Sequence, residues 1–286
     1  MPAQDGGMGI KMSYFQSIIL GLVQGLTEFL PVSSSGHLAI FKHIFGSVFF
    51  ESGITFDIML HLGTLAAVFI VYFSDIKQLV VEFFKYIGDI FHGKIKPDTP
   101  YKKMLLMLIV GSIPAGVAGI LLKSFIETIS ADRLWVVGIC LFITAFLLCV
   151  GDKNSSGKKD MKYLTLKNSL FVGLFQGFAI LPGISRSGST IVGGLLSGFK
   201  KEFAVKFSFL LSVPAILGAA LIDFKDVIGQ GEAFFSMQAL LGVIVAAVSG
   251  FAAIKWLLRL VKDGKFKWFS VYCAVMGIIT ILISIF

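Results

Sequence analysis

The sequence predicts an all-α polytopic membrane protein, with six transmembrane helices and two re-entrant broken-helix hairpins in an inverted-topology repeat. Three observations predict this fold. The 286 residues are 56% apolar and only 15% charged, and a mean hydropathy of +0.88 excludes a soluble globular domain. Two apolar segments are interrupted at their midpoints by runs of Pro, Gly and Ser. These two segments are also copies of each other.

The chain opens with residues 1–12, which we predict to be a short disordered tail or a cloning remnant. They lack the basic start, apolar core and small-residue cleavage site of a signal peptide. The rest, 13–286, is predicted to form a single membrane domain of two inverted repeats, about 13–151 and 165–286.

Six apolar stretches are each predicted to cross the hydrocarbon core, which takes roughly 20 helical residues. They cover 54–73, 104–122, 134–150, 203–221, 237–258 and 268–286. The first contains Asp57 and His61 at spacing i, i+4, which we weigh equally as support for a site and as interfacial anchors. The cysteines, Cys140, Cys149 and Cys273, form no metal or disulfide pattern and are predicted to be small core residues.

Two further apolar stretches, 14–45 and 166–199, each break into two half-helices at FLPVSSSGH and LPGISRSGS. Irregular backbone at membrane depth is tolerated only where it is buried in protein or lines a wet cavity. At an offset of 152, Gly21, Gln24 and Gly25 match Gly173, Gln176 and Gly177, and the serines and glycine of the breaks match as well. Trp135 and Cys140 match Trp268 and Cys273 at an offset of 133, which indicates a tandem duplication.

The net charge of +8 comes largely from lysines in the loops, where it sets membrane topology and does not indicate nucleic-acid binding. Segments 75–103, 151–167, 200–206 and 259–267 are basic and are predicted to be cytoplasmic. Segments 123–133 and 223–236 are neutral or acidic on balance and are predicted to lie outside. The first broken hairpin then enters from outside and the second from the cytoplasm, so that the two breaks meet near mid-membrane.

The residues at the breaks suggest an anion site. Each half-helix restarts at a serine cluster whose free N–H groups attract anions, although helix capping alone would also explain the serines. Arg186 is a cation at membrane depth, which requires a partner. Glu28 lies one turn after Gln24 and implies a cation, either Arg186 in a structural ion pair or Mg²⁺ or Ca²⁺. His37 is either a buried core residue or a general base or nucleophile.

Two long motifs, residues 24–37 (QGLTEFLPVSSSGH) and 181–190 (LPGISRSGST), strongly resemble the undecaprenyl-diphosphatase, or bacitracin-resistance protein, family of bacteria. The resemblance extends over nearly the whole chain. It implies a phosphatase of the bacterial cytoplasmic membrane that converts undecaprenyl diphosphate to undecaprenyl phosphate and phosphate. This reaction recycles the cell-wall lipid carrier and gives bacitracin resistance.

The resemblance also assigns roles at matching positions. The implied catalytic residues are Glu28, Ser34, His37 and Arg186, and the implied substrate-binding residues are Gln24, Ser33, Ser35, Ser185, Ser187 and Thr190. A divalent cation, Mg²⁺ or Ca²⁺, would be held by Glu28 and more weakly by Gln24, where many members have glutamate. The nucleophile is Ser34, His37 or an activated water, with Ser34 preferred.

The expected partners are a polyprenyl diphosphate and membrane lipids, without nucleic acid, and a homodimer is allowed. The active site is expected to face the extracytoplasmic side. Inverted repeats with broken helices are also typical of transporters, so a flippase or carrier for polyprenyl phosphate lipids is the alternative. A purely structural bundle would have no reason to hold Glu28 and Arg186 at membrane depth.

Overall fold

The computed structural model describes residues 12–46, 54–93, 96–122, 125, 133–230, 236–262 and 266–285, and within these ranges the protein is all-helical. The predicted tail lies outside the described residues, apart from Met12. The helices are α1 (Tyr14–Phe29), α2 (Ser34–Phe45), α3 (Ile54–Val71), α4 (Phe73–Phe91), α5 (Pro100–Leu121), α6 (Leu134–Lys153), α7 (Leu166–Phe178), α8 (Arg186–Leu196), α9 (Lys201–Gln230), α10 (Met237–Lys262) and α11 (Phe266–Ile283), with a 3-10 turn at Met161–Tyr163.

Five of the described helices, α5, α6, α9, α10 and α11, are long and apolar enough to cross a membrane. A sixth crossing is counted when α3 is taken together with α4, from which it is bent by 91°. The prediction of a multi-pass helical membrane protein is therefore confirmed at this level. Each predicted span overlaps a helix and differs from it by a few residues at the ends, except that α9 continues to Gln230.

Helix α4 replaces what the sequence suggested was a lysine-rich loop. Its buried side carries Leu79, Glu82 and Tyr86, and the Glu82 carboxylate accepts a hydrogen bond from Thr99 Oγ1 at 3.2 Å. Its other side exposes apolar residues, including Phe84 and Phe91, which are 67% and 84% exposed. One side of α4 thus packs on the protein, while large apolar side chains are exposed on the other, as expected of a helix that contacts lipid.

Both apolar segments with central Pro-Gly-Ser runs are indeed broken. Helix α1 ends at Phe29 and α2 begins at Ser34, while α7 ends at Phe178 and α8 begins at Arg186. Each new helix has a serine cap: the Oγ of Ser33 accepts from the backbone N–H of Gly36 at 3.2 Å, and the Oγ of Ser185 accepts from that of Gly188 at 3.1 Å. Because serine satisfies otherwise free N–H groups, these residues set where the helices restart.

Glycines lie where helices of the two halves pack closely against each other. Helix α1 packs on α10, and α7 packs on α5. A Cβ on Gly21 would lie 2.7 Å from the carbonyl oxygen of Gly242, and a Cβ on Gly173 would lie 2.3 Å from that of Gly111. Close approach of the backbones therefore requires glycine at both repeat-matched positions, as is common at helix contacts in membranes.

The core lies around α8 and α9, with buried Phe199 in the connection between them and buried Phe207 and Phe209 on α9. Cys140 and Cys273 are buried, as predicted for small core residues. The same prediction is wrong for Cys149, which is exposed near the end of α6. Its position in an apolar stretch did not distinguish a core-facing side chain from an outward-facing one.

Candidate active site

The turns that break the two segments contact each other directly. Ser187 Oγ donates a hydrogen bond to the carbonyl oxygen of Leu30 at 3.1 Å. In the opposite direction, the backbone N–H of Gly183 donates to Ser35 Oγ at 3.3 Å. Each turn is thus held by a serine of the other half, which brings the starts of α2 and α8 together. Two helix N-termini at one place favour the binding of an anion.

Backbone strain occurs at the first turn. Ser33 has φ +72°, and it is the sole non-glycine residue with positive φ in the part of the chain that the structure describes. Its repeat mate Ser185 has an ordinary φ of −73°. A positive φ costs a non-glycine residue about 1–3 kcal/mol, and such residues cluster at active sites. The two turns therefore match in sequence and capping but differ in conformation, and the strained one precedes Ser34.

Glu28 is the centre of the polar network at this joint. Its Oε1 forms an ion pair with the Arg186 guanidinium of the other half. Its Oε2 accepts hydrogen bonds from Ser34 Oγ at 2.7 Å and from Gln24 Nε2 at 2.9 Å. His61 Nε2 lies 3.9 Å from the same oxygen. The predicted partnership of Glu28 with Arg186 is therefore present, and one carboxylate connects Gln24, Ser34, His61 and Arg186.

A cavity of about 840 Å³ opens beside this network. Around Glu28 the lining forms a charged end with Ser33, Ser34, Ser35, His61, Ser185 and Arg186. The other polar residues of the lining are Thr27, Asp57, Ser112 and Gln176. Most of its remaining wall is apolar and comes from α5 and α9, with small residues such as Gly116, Gly119, Gly218 and Ala219. The cavity thus combines a charged end with a long apolar wall, which fits an amphiphile better than a fully polar solute.

His37 is turned away from this cavity and is absent from its lining. Its Nδ1 lies 2.8 Å from the carbonyl oxygen of Ser33, and its Nε2 lies 2.7 Å from the Tyr272 hydroxyl. Because a carbonyl can only accept, Nδ1 carries the proton and Nε2 accepts from the tyrosine. The rings of His37 and Tyr272 are also stacked, with centroids 5.6 Å apart. Ser34, the preferred nucleophile, is not a hydrogen-bond partner of this ring.

Three of the predicted substrate-binding residues do not line the cavity. Ser187 and Thr190 are buried and do not line the cavity. Ser187 is bonded to the first turn, as above, and Thr190 Oγ1 lies 2.5 Å from Ser208 Oγ. Gln24 is also fully buried and reaches the cavity only through Glu28. These side chains hold other residues in position in this structure.

Comparison with known proteins decides the family. The family described as "Bacitracin resistance protein BacA" matches residues 17–279. The chain belongs to this family. Among its relatives are an undecaprenyl-diphosphatase of Alkaliphilus metalliredigens, 47% identical over 96% of this chain and 100% of the relative, and one of Methanobrevibacter smithii, 45% identical over 96% of this chain and 99% of the relative. The expected family resemblance is confirmed over nearly the full length.

Within this BacA-family chain, the structure adds three cavity residues that the sequence does not single out as site residues. His61 and Asp57, for which the sequence leaves a site role and an interfacial role open, both line the cavity. The i, i+4 spacing of Asp57 and His61 is their sequence signal, but only the packing of α3 beside α1 shows that His61 lies near Glu28. Gln176 lines the cavity from α7, and its signal was the match to Gln24.

The donor atoms at the joint fit a divalent cation held partly by its ligand. No group of three or more His, Cys, Asp or Glu side chains suited to a metal occurs among the described residues. However, Gln24 Oε1 is buried and has no hydrogen-bond partner there, and it belongs to the amide that contacts Glu28. Mg²⁺ is usually bound by one or two carboxylates together with substrate phosphates. The Glu28 carboxylate lines the cavity and agrees with that pattern, whereas the Gln24 amide oxygen lies behind the wall and would reach an ion only beside Glu28.

Proposed function

We propose that this BacA-family protein hydrolyses undecaprenyl diphosphate to undecaprenyl phosphate and inorganic phosphate, recycling the cell-wall lipid carrier and giving bacitracin resistance. The observation that carries the proposal is the Glu28–Arg186 pair at the charged end of a cavity with an apolar wall. A lipid diphosphate needs the charged end for its phosphates and the apolar wall for its prenyl chain. The relatives named undecaprenyl-diphosphatase support the same substrate.

Arg186 is the group best suited to bind the diphosphate. Phosphoryl transfer depends mainly on positioning and on neutralising the charge of the transferred group. A guanidinium can bind two phosphate oxygens at once, and the N-termini of α2 and α8 add free N–H groups. In the structure Glu28 holds Arg186 at the cavity. The substrate would take over part of that pairing.

Ser34 is the proposed nucleophile, because its hydroxyl already donates to Glu28 at 2.7 Å. Attack of Ser34 Oγ on the terminal phosphorus breaks the bond to the bridging oxygen, and undecaprenyl phosphate leaves. The Ser34 proton passes to Glu28, and water then hydrolyses the phosphoserine to release phosphate. His37 would act by holding the strained Ser33 turn in place, since its ring contacts Ser33 and Tyr272.

A divalent cation, Mg²⁺ or Ca²⁺, is proposed to bind at Glu28 and Gln24 together with the substrate phosphates. The Oε1 of Gln24, which has no hydrogen-bond partner within the described part of the chain, supports this placement. Such a cation would neutralise developing negative charge on the phosphoryl oxygens. Gln24 has no charge, so we expect Glu28 to provide most of the protein's affinity for the ion.

The prenyl tail is proposed to reach the site between α5 and α9. A Cβ on Gly116, Gly119 or Gly218 would meet nothing within 4 Å, so these glycines leave open space along the cavity wall. Exposed apolar residues of both helices, such as Ile120 on α5 and Leu221 on α9, suit contact with lipid. Only the diphosphate would then leave the hydrocarbon environment.

The membrane arrangement proposed for this reaction has six crossings and two re-entrant hairpins, α1–α2 and α7–α8, in inverted repeats of about 13–151 and 165–286. The reciprocal glycine contacts of α1 with α10 and of α7 with α5 support the repeat. The loop charges support a site open to the extracytoplasmic side of the bacterial cytoplasmic membrane. A homodimer stays a prediction.

The proposal is tested with purified protein in detergent, by measuring inorganic phosphate released from undecaprenyl diphosphate with and without a chelator. We expect substrate-dependent release that the chelator abolishes and Mg²⁺ or Ca²⁺ restores. A flippase or carrier would release no phosphate, and this alternative is not favoured by the relatives, which are named as phosphatases. Release that is unchanged by the chelator would contradict the cation.

A further inference from the structure

Gln176 is a buried polar side chain at the wall of the cavity. It is 2% exposed and lies on α7 among the residues that line the cavity. Neither its Oε1 nor its Nε2 has a hydrogen-bond partner among the residues that the structure describes. A buried amide that loses its hydrogen bonds to water and gains none is unfavourable, and such groups are rare in folded proteins. The partner that satisfies Gln176 is therefore expected to come from outside the chain.

The matching glutamine of the first half shows what is different here. Gln24 donates through Nε2 to Glu28, one helical turn later. The residue one turn after Gln176 is Ile180, which lines the cavity but offers no side-chain acceptor. The second half thus retains the amide and lacks the carboxylate that binds it in the first half. An anion in the cavity could take the place of that carboxylate.

The surroundings of Gln176 indicate which part of a ligand it would meet. It lines the same cavity as Ser185 and Arg186, which belong to the charged end, and as the apolar Ala179 and Ile180, which follow it by three and four positions along the chain. Because Ser34 is proposed to attack the terminal phosphate, the phosphate group left for Gln176 is the one that is attached to the prenyl chain.

We propose that Gln176 binds the prenyl-linked phosphate of the substrate, with Nε2 donating to a non-bridging oxygen. Oε1 then accepts from a water or a protonated oxygen on the same phosphate. This inference rests on the proposed function and extends it, because it gives the second half of the molecule a direct role in holding the leaving group. Gln176 would also hold the product, undecaprenyl phosphate, after the terminal phosphate has departed.

The test compares wild type with Gln176→Leu, which removes both hydrogen-bonding atoms while keeping a similar volume. We expect KM for undecaprenyl diphosphate and the inhibition constant of undecaprenyl phosphate each to rise roughly tenfold or more, as for a lost hydrogen bond to a charged group. The inhibition constant of inorganic phosphate should stay unchanged, since this product lacks the prenyl-linked group. Unchanged KM and unchanged inhibition by undecaprenyl phosphate would overturn the inference.

Gln176→Glu keeps nearly the same side-chain shape as wild type, so it tests the contact with the phosphate even if the leucine variant does not fold. A carboxylate would repel the phosphate, so this variant should bind undecaprenyl phosphate more weakly than wild type. Wild-type binding by Gln176→Glu would overturn the contact. Asn168→Leu on the same helix, outside the cavity, makes a similar amide-to-alkyl change and should keep wild-type kinetics. If wild type itself releases no phosphate from undecaprenyl diphosphate, the proposed function fails and not merely the role of Gln176.

Discussion

Replacing Glu28 with Gln removes one negative charge from the centre of the site and changes almost nothing in shape. The Glu28 side chain is 5% exposed and that of Arg186 is 21% exposed, so their pairing is largely sheltered from water. The same carboxylate accepts a hydrogen bond from the hydroxyl of Ser34. The substitution therefore leaves Arg186 without its counter-charge and Ser34 without an anionic proton acceptor.

The expected size of the effect follows from these two losses. A positioned general base contributes about 10²–10⁴-fold to a rate, so we expect kcat of Glu28→Gln to fall by at least about 10². Breaking a fully buried ion pair costs about 3–5 kcal/mol. Because Arg186 is one-fifth exposed, we expect the free energy of unfolding to fall by about 2–3 kcal/mol, at or below the lower end of that range.

The assay is phosphate release from undecaprenyl diphosphate, with thermal unfolding measured on the same samples. Excess Mg²⁺ or Ca²⁺ should not restore activity, since the lost charge is the main protein anchor of the cation. Glu202→Gln, at an exposed position in the first turn of α9, is the matched control and should behave as wild type. A kcat within threefold of wild type, or full rescue by added metal, would refute the role of Glu28 in the chemistry.

Three further predictions concern Arg186, His37 and the orientation of the site. The kcat/KM of Arg186→Lys should fall to within about tenfold of that of Arg186→Ala, because an ammonium cannot bind two phosphate oxygens at once as a guanidinium does. Near-normal turnover of the lysine variant would exclude this role of Arg186 in phosphate binding. His37→Asn and Tyr272→Phe should lower kcat by similar factors, since both loosen the turn at Ser33; a large loss in His37→Asn with wild-type Tyr272→Phe would instead indicate acid–base chemistry at His37. In a background lacking Cys140, Cys149 and Cys273, Arg133→Cys should react with an impermeant maleimide in intact cells and Ser156→Cys should not; the reverse pattern would place the active site on the cytoplasmic side.

The helices could be predicted from the sequence, because the length of an apolar stretch and its interruption by Pro, Gly and Ser are local signals. Predicted spans and the two breaks lie close to the observed helices. The sequence does not predict helix α4, because the six lysines in residues 75–103 indicate a cytoplasmic loop. Its apolar residues recur on one side of a helix, and that periodicity was hidden by the charges between them. The bend of 91° after α3 is likewise not encoded in any local run.

The candidate site shows a similar division between local and long-range information. The pairing of Glu28 with Arg186 could be predicted because each is an ionisable group at membrane depth that requires a partner. The position of His37 could not, because its ring is held by Tyr272, which lies 235 positions later in the chain. The short distance between His61 and Glu28 depends in the same way on how α3 packs against α1.

The central claim is that phosphorus is attacked by Ser34 at the joint of the two broken segments. It is tested most directly by mixing the protein with undecaprenyl diphosphate labelled in its terminal phosphate, quenching within the first turnover, and locating the label by peptide mass spectrometry. We expect the label on the peptide that contains Ser34, and its absence in Ser34→Ala. Label on His37, or rapid turnover by Ser34→Ala without any labelled intermediate, would contradict the account.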